Sequence, residues 1–308
     1  MPERELIEYL RTLAAGQRPP WLHVGIGDDA AVVAVPGGGQ VAVTTDSVVE
    51  GVHFARGTEP ALVGRKAVAR ALSDIAAMAA RPLCLVAAAA FGPGWDDAAC
   101  RELCRALWET ADLFGAPLIG GDVSSSAGPT SVAVTALGTP GPRGFVTRSG
   151  ARAGDALCVT GRLGASIRGR HLEFSPRIPE ALALTERFEV HAMIDISDGL
   201  STDALHLADA SGVGVELRAQ DVPVSSDAAA LAEQTGREPL WHALNDGEDY
   251  ELLFCLACPD AREAARTGVA GVPVAVIGEV LQGRESWLVL PDRRRKRLVA
   301  QGWEHLKR

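Results

Sequence analysis

The feature that most constrains this chain is the alternation of its apolar runs between a strand period and a helix period along the whole length. Such alternation favours a mixed α/β architecture over a sandwich or a helical bundle. Residues 3–14 predict a helix with Leu6, Ile7, Leu10 and Leu13 on one face. Residues 41–45 alternate like a strand. From Pro60, a residue favoured in the first helical turn, an alanine-rich helix should run to about Ala80 and stop before Arg81-Pro82. Residues 83–91 predict an apolar strand, 96–114 a helix ended by Gly115 at its C-cap, and 117–120 and 130–138 further strands.

At 308 residues the chain is long enough for two domains. The densest Pro/Gly cluster, Thr139-Pro-Gly-Pro-Arg-Gly, places the boundary, giving domains 1–140 and 141–308. The second half predicts strands near 156–160, 190–196, 213–217, 250–256, 274–280 and 287–290, with helices near 179–186, 200–210 and 226–234.

Composition narrows the function classes. A net charge of −9 leaves no basic stripe to neutralise a nucleic-acid backbone. The one basic run, Arg293–Arg297 (RRRKR), reads as a solvated turn face. The start, MPERELIEYL, lacks the apolar stretch of a signal peptide, and no run of about 18 apolar residues is present. A cytoplasmic protein with no membrane or nucleic-acid partner is expected. Of six cysteines, Cys255 and Cys258 form one CxxC at a strand end, without the second pair a structural zinc site needs. All six are expected to be buried, reduced, structural thiols.

The acids carry the chemistry. GIGDDAAVV (Asp28, Asp29), VAVTTDS (Asp46), ALSDIAAMAA (Asp74), LIGGDVSSS (Asp122) and MIDISDGLSTD (Asp195, Asp198, Asp203) each set aspartate beside an apolar run. One Asp in a turn is usually a turn former or N-cap. Asp74 is different, because an alanine-rich helix around it predicts partial burial, and a buried carboxylate needs a cation or donors. Arg70, one turn earlier, is a candidate counter-ion. Several carboxylates at strand ends suit Mg²⁺ and phosphates, since Mg²⁺ prefers oxygen ligands and binds few carboxylates plus substrate oxygens. Thr44 and Thr45 add oxygens beside Asp46, and Gly120-Gly121 and Ser197-Asp198-Gly199 allow backbone to approach phosphates. Gly25-x-Gly27 lacks the third glycine of a dinucleotide fingerprint, and neither a GxxxxGK[ST] loop nor a kinase HRD loop is present.

Taken as a set, GIGDDAAVV, TTDSVVEGVHF, LSDIAAMAARP, LIGGD, VTRSGARAGD, MIDISDGLSTD and GEDYELLF fall in the order found in the thiamine-monophosphate kinase family, over roughly residues 20–305. The wider superfamily resembles aminoimidazole ribonucleotide synthetase. The resemblance implies an N-terminal α/β domain whose sheet forms a barrel with that of a second subunit, in a homodimer, and a C-terminal α/β domain closing over the nucleotide. It implies several Mg²⁺ ions on Asp28, Thr44, Thr45, Asp46, Asp74, Asp122, Asp195 and Asp198. It further implies ATP contacts from Gly121, Asp122, Arg148 and Ser197, and thiamine monophosphate contacts from His53, Glu248 and Trp303. Asp46, Asp122 and Asp198 are the implied catalytic acids. The chain departs from the pattern after Ser166, where a longer helix of the family is shortened, and at Val123, where a hydroxyl residue is frequent.

The expected reaction is in-line transfer of the γ-phosphoryl of ATP to thiamine monophosphate, whose phosphate is ionised near pH 7 and needs no general base. The alternatives are an ATP-dependent ring-closing ligase of the same superfamily and a non-catalytic Mg²⁺–nucleotide-binding protein.

Overall fold

The computed structural model describes residues 3–14, 16 and 19–306. The first half runs α1 (Glu3–Ala14), β1 (Leu22–Val24), β2 (Ala31–Val35), β3 (Gly39–Val49), α2 (Pro60–Ala77), β4 (Arg81–Phe91), α3 (Asp97–Leu113), β5 (Leu118–Ser125) and β6 (Ser131–Thr139). Its six strands form one sheet in the order β1-β2-β3-β6-β4-β5. Neighbours are antiparallel except β4 and β5, whose parallel pairing requires the crossover that α3 supplies. Asp96 starts α3 by accepting the Ala99 N–H at 2.9 Å, and Gly115, at φ +65°, lets the chain leave it.

Helix α2 is the axle of the molecule. It is buried on most sides, and Val63, Val68, Ala69, Ala71, Leu72, Ile75 and Ala76 are fully buried, while Lys66, Arg70, Ser73 and Asp74 form one polar stripe along it. A side chain at Gly64 would meet the Leu103 carbonyl at 2.8 Å, so glycine is what lets α2 lie close on α3. One face of α2 covers β3 and β6, and another touches elements of the second half.

That half runs β7 (Ala156–Thr160), α4 (Arg170–Glu173), α5 (Ile178–Arg187), β8 (Ala192–Asp195), α6 (Leu200–Ser211), β9 (Gly214–Arg218), α7 (Ser226–Thr235), α8 (Pro239–Asn245), β10 (Leu252–Leu256), α9 (Cys258–Thr267), β11 (Val274–Leu281), β12 (Trp287–Val289) and β13 (Arg295–Arg297). The sheet order is β13-β12-β9-β11-β7-β10-β8, and only β9–β12 is parallel. Strands β7, β8 and β10 are buried on both faces. Leu252, Phe254 and Leu256 of β10 join the core around α2, while Leu253 and Cys255 join a second core with α6 and α8. The second sheet is thus sandwiched between helices, and α2 belongs to the cores of both halves.

Most predicted elements are present, with several instructive differences. Strand β3 extends to Val49 because it pairs with β6 from Ala42↔Gly138 to Val49↔Ser131, so Asp46 lies inside a strand rather than at its end. Asp122 likewise lies inside β5, paired with Ala88. The basic run is exposed but forms β13, whose Arg295 and Arg297 stack over Trp287. The CxxC does not sit wholly at a strand end, since Cys258 opens α9 with Pro259 behind it. The thiols are unpaired, but only Cys158 and Cys255 are buried; Cys84 and Cys100 are half-buried, and Cys104 and Cys258 are exposed. No described helix is long and apolar enough to cross a membrane.

Candidate active site

The site is built where α2 meets the end of β8. Ser73 on α2 donates to Asp195 Oδ2 at 2.5 Å, tying the two halves together through a buried hydrogen bond. Next to it, Asp74 accepts from Thr44 Oγ1 at 2.5 Å, which fixes α2 against the middle of β3. Asp29 completes a group, since Asp29, Asp74 and Asp195 offer carboxylate oxygens that all lie within 4.8 Å of one another. At that separation, and at an effective dielectric of roughly 20, each charged pair repels by about 3–4 kcal/mol. Burial first, then mutual repulsion, pushes the carboxyls of Asp74 and Asp195 well above the ordinary range. Asp29 Oδ2 is buried with no hydrogen-bond partner. A trio of acids with an unused buried oxygen fits a hard divalent cation, whose charge would remove the repulsion.

Arg148 balances one side of this group. Its guanidinium donates to Asp29 Oδ1 through Nη2 at 2.6 Å and Nε at 3.2 Å, and its backbone N–H donates to Asp28. Asp28 is turned away from the trio, and burial beside Asp29 raises its carboxyl to about 6. A second acidic group, Asp198, Asp203 and His206, lies at the start of α6. Burial and mutual repulsion bring Asp198 to about 7, and burial does the same for Asp203. The Asp203 carboxylate accepts the Asp198 N–H, and the carbonyl of Asp198 accepts Trp303 N–H at 3.0 Å. A side chain at Gly302 would stand 1.9 Å from that carbonyl, so glycine allows the C-terminal segment to cross the Asp198 turn.

Across from the acids lies a mixed-charge group around Glu248. Lys66, fully buried on α2, donates to the carboxylate of Glu248 at 2.7–2.8 Å and to the His53 carbonyl at 2.6 Å. Glu248 and Tyr250 hold left-handed backbone, at φ 53° and 51°, a strain of about 1–3 kcal/mol per residue. Hydrogen bonds from their N–H groups to the carbonyls of Ser197 and Ile196, at 2.7 and 2.8 Å, hold them there. Tyr250 also stacks on Phe174 and donates to Glu248 Oε1 at 3.3 Å. His53 Nδ1 accepts the Val49 N–H at 3.0 Å, leaving the ring proton on Nε2. Burial, then Arg70, His305 and Lys66, lower its pKa to about 3, so the ring is neutral. Trp303 is half exposed and donates through Nε1 to His305, whose ring lies 5.3 Å from that of His53.

The sequence-derived residues therefore divide. Asp74 and Asp195 meet in the trio, with Thr44 bonded to it. Asp28 and Arg148 flank it. His53 and Glu248 share Lys66, and Ser197 holds Glu248 from behind. Trp303 reaches Asp198 through its backbone N–H, its ring lying against His305. Asp46 accepts from Arg70 at 3.1 and 3.4 Å, so Arg70 serves Asp46 by hydrogen bond rather than Asp74. Thr45 points to the opposite face of β3, where Thr135 donates to it at 3.1 Å. Gly121 and Asp122 are exposed on edge strand β5, three strand spacings from β3, or about 14 Å. At Gly121 a side chain would collide with the Ala87 carbonyl at 1.8 Å, which explains that glycine through sheet packing. Of the GEDYEL acids, Asp249 turns away to accept from Gly164 N–H and Arg170. Sequence reasoning did not assign Asp29, Lys66 or Ser73. The doubled GDD and the lone lysine within an apolar helix were the signals that could have found the first two.

The comparisons with known proteins bear on this arrangement. Residues 27–139 match the family model of the AIR synthase related protein N-terminal domain, and 155–290 match the C-terminal domain of the same family. The thiamine-monophosphate kinase of Rhodopirellula baltica is 40% identical over 98% of this chain and 97% of its own length. That of Mycobacterium tuberculosis is 35% identical over 90% of this chain and 89% of its own. A solved structure described as AaThiL complexed with AMPPCP and TMP superposes with a TM-score of 0.85 at 28% identity, covering 99% of this chain and 97% of that one.

Proposed function

This chain belongs to the thiamine-monophosphate kinase family within the AIR synthase-related proteins, and on that premise we propose that it phosphorylates thiamine monophosphate to thiamine diphosphate with ATP, in thiamine diphosphate biosynthesis. The observation that carries the reading is the Asp29–Asp74–Asp195 trio, with its unpartnered oxygen, set about two turns along α2 from the Glu248–Lys66–His53 group. One group suits a metal–polyphosphate, and the other suits a ring-bearing acceptor.

The metal set in this reading is Asp28, Thr44, Thr45, Asp46, Asp74, Asp122, Asp195 and Asp198, with Asp29 added. Mg²⁺ held there would supply the charge neutralisation that two phosphate-bearing reactants need in order to approach. Arg148 and Ser197, with Gly121 and Asp122, bind ATP. The fork of Arg148 matches phosphate oxygens once it leaves Asp29. His53, Glu248 and Trp303 hold the acceptor, Trp303 offering an aromatic face to its cationic ring. Transfer is direct and in line, with Asp46, Asp122 and Asp198 as the catalytic acids. No general base is needed, and His53, with its pKa lowered to about 3, would be a weak one. Domains 1–140 and 141–308 close on the nucleotide.

The active form is a cytoplasmic homodimer joined through the first sheet into a barrel. Support comes from edge strand β5, where Ile119 and Val123 are 65% and 69% exposed. The test is to incubate the protein with Mg²⁺, ATP and thiamine monophosphate and to follow products by mass. Thiamine diphosphate with ADP is the expected result. ADP with inorganic phosphate would point to the ligase chemistry instead, and tight ATP binding without turnover to a non-catalytic protein.

A further inference from the structure

The reading above leaves Arg70 of α2 without a role, although it stands between the two groups of the site. Its Nε and Nη2 donate to Asp46 on the acid side, at 3.4 and 3.1 Å. Its Nη1 faces Glu248 Oε1 on the other side, across 3.9 Å, too far for a hydrogen bond. That Nη1 is buried and has no hydrogen-bond partner. A buried N–H without an acceptor is unfavourable, and few native structures keep one unless a ligand or water satisfies it.

We infer that Arg70 receives the phosphate of the acceptor, a phosphate monoester whose organic end lies against His53 and Glu248. The inference rests on the substrate reading above and adds to it the residue that recognises the monoester group. An acceptor bound at His53 and Glu248 has to extend its phosphate towards Asp46 and Asp74, and Arg70 lies on that path. Lys66, one helical turn earlier, is spent, because its ammonium already serves Glu248 and the His53 carbonyl. An arginine fork can hold two phosphate oxygens at once, which a point-like ammonium cannot. Without Arg70 the incoming dianion would meet Asp46, Asp74 and Glu248 with no free donor between them. The same residue therefore separates a phosphorylated acceptor from its unphosphorylated alcohol.

The test compares binding of thiamine monophosphate and of thiamine, by calorimetry with Mg²⁺ present, to the wild type, Arg70→Met and Arg70→Lys. The wild type should bind the monophosphate at least about tenfold more tightly than thiamine. Arg70→Met should lose about tenfold of that preference with thiamine affinity unchanged, and Arg70→Lys should recover part of it. Melting curves report whether each variant is folded, and if Arg70→Met is not, Arg70→Lys carries the comparison through a loss of about threefold or more. A folded variant that keeps the full preference overturns the inference. So does an equal loss for both ligands, which would make Arg70 only a support for Asp46. In either case wild-type preference for the monophosphate leaves the substrate reading standing. A wild type that binds neither ligand overturns that reading and the inference with it.

Discussion

Two buried charge clusters in this molecule have similar residues and opposite designs. Around Glu251, on the second sheet, the acids are matched: Arg177 takes both oxygens of Glu251 at 2.6 and 2.8 Å, Thr160 adds a bond at 2.7 Å, and Arg170 pairs with Asp249. Every oxygen of Glu251 and Asp249 has a partner. Around Asp74 the acids outnumber their cations, and one oxygen of Asp29 has no partner at all. The first cluster gives both oxygens of Glu251 and of Asp249 a donor and holds α4 and α5 to the sheet, leaving one oxygen open only at its outer acid, Glu180, which Arg177 also holds. The second is complete only with something positive in it. Burial and charge do not by themselves distinguish a structural network from a functional one; the balance of donors and acceptors does.

The largest expected break between the two is Asp195→Asn. The amide oxygen still accepts from Ser73, so the fold should hold or gain slightly as repulsion is relieved. Turnover should fall by about a thousandfold or more, in line with losing a charge that stabilises phosphoryl transfer. A melting temperature that drops with little loss of turnover would assign Asp195 to structure.

Glu251→Ala should do the reverse. Removing one partner of a buried, hydrogen-bonded ion pair costs about 3–5 kcal/mol, seen as a clear fall in thermal or denaturant midpoint. The folded fraction should keep its turnover to within about threefold. If turnover collapses while stability does not, the network around Glu251 belongs to the chemistry and the contrast fails.

Smaller still is the pH response. Asp28, at about 6, and Asp198 and Asp203, at about 7, retain protons in the folded protein that an unfolded chain has already released. Metal-free stability should therefore be greatest at the acid end of this window and fall as pH rises from about 4 to about 8. Asp249, raised by burial to about 8, adds a share that Mg²⁺ at the trio does not restore. Added Mg²⁺ should restore it most at pH 7–8, by about 2–3 kcal/mol at a hundredfold excess over its dissociation constant. Calorimetric melts at pH 5 and 8, with and without Mg²⁺, decide this. Equal Mg²⁺ effects at both pH values would contradict it.

The smallest effect is an expected constancy. The His53 ring, lowered to about 3, should show no titration between pH 5 and 8 in NMR spectra, and activity should show no histidine limb there. Its neutral form contributes stability that is present above the ordinary histidine pKa and is lost as pH falls towards 3. A midpoint near 6.5 would mean that neither burial nor its cationic neighbours act on the ring.

Much of the architecture was legible in the sequence because the α/β alternation is local information. Pro60, Asp96 and Gly115 mark helix ends through their own backbone preferences, and α2 and α3 end within a few residues of where those signals put them. The short strands β1, β2 and β13 and the helices α4, α8 and α9 were not legible, because partners remote in sequence decide them. Within the site, the type of ligand was legible and the grouping was not. Asp28 and Asp29 are adjacent in sequence, but the turn that carries them sends Asp29 into the trio and Asp28 towards the Arg148 backbone.

What the sequence determined alone is the inventory: apolar runs of two periods, a Pro/Gly junction, and carboxylates beside strands in a family order. Only the tertiary structure decided which carboxylates repel one another, which cation answers which acid, and that α2 brings Lys66, Arg70, Ser73 and Asp74 to the meeting of the halves. The reason is physical. Helix and strand periods are set by neighbours in the chain, whereas charge interactions fall off with distance through space and depend on burial, and neither is fixed until two remote segments pack.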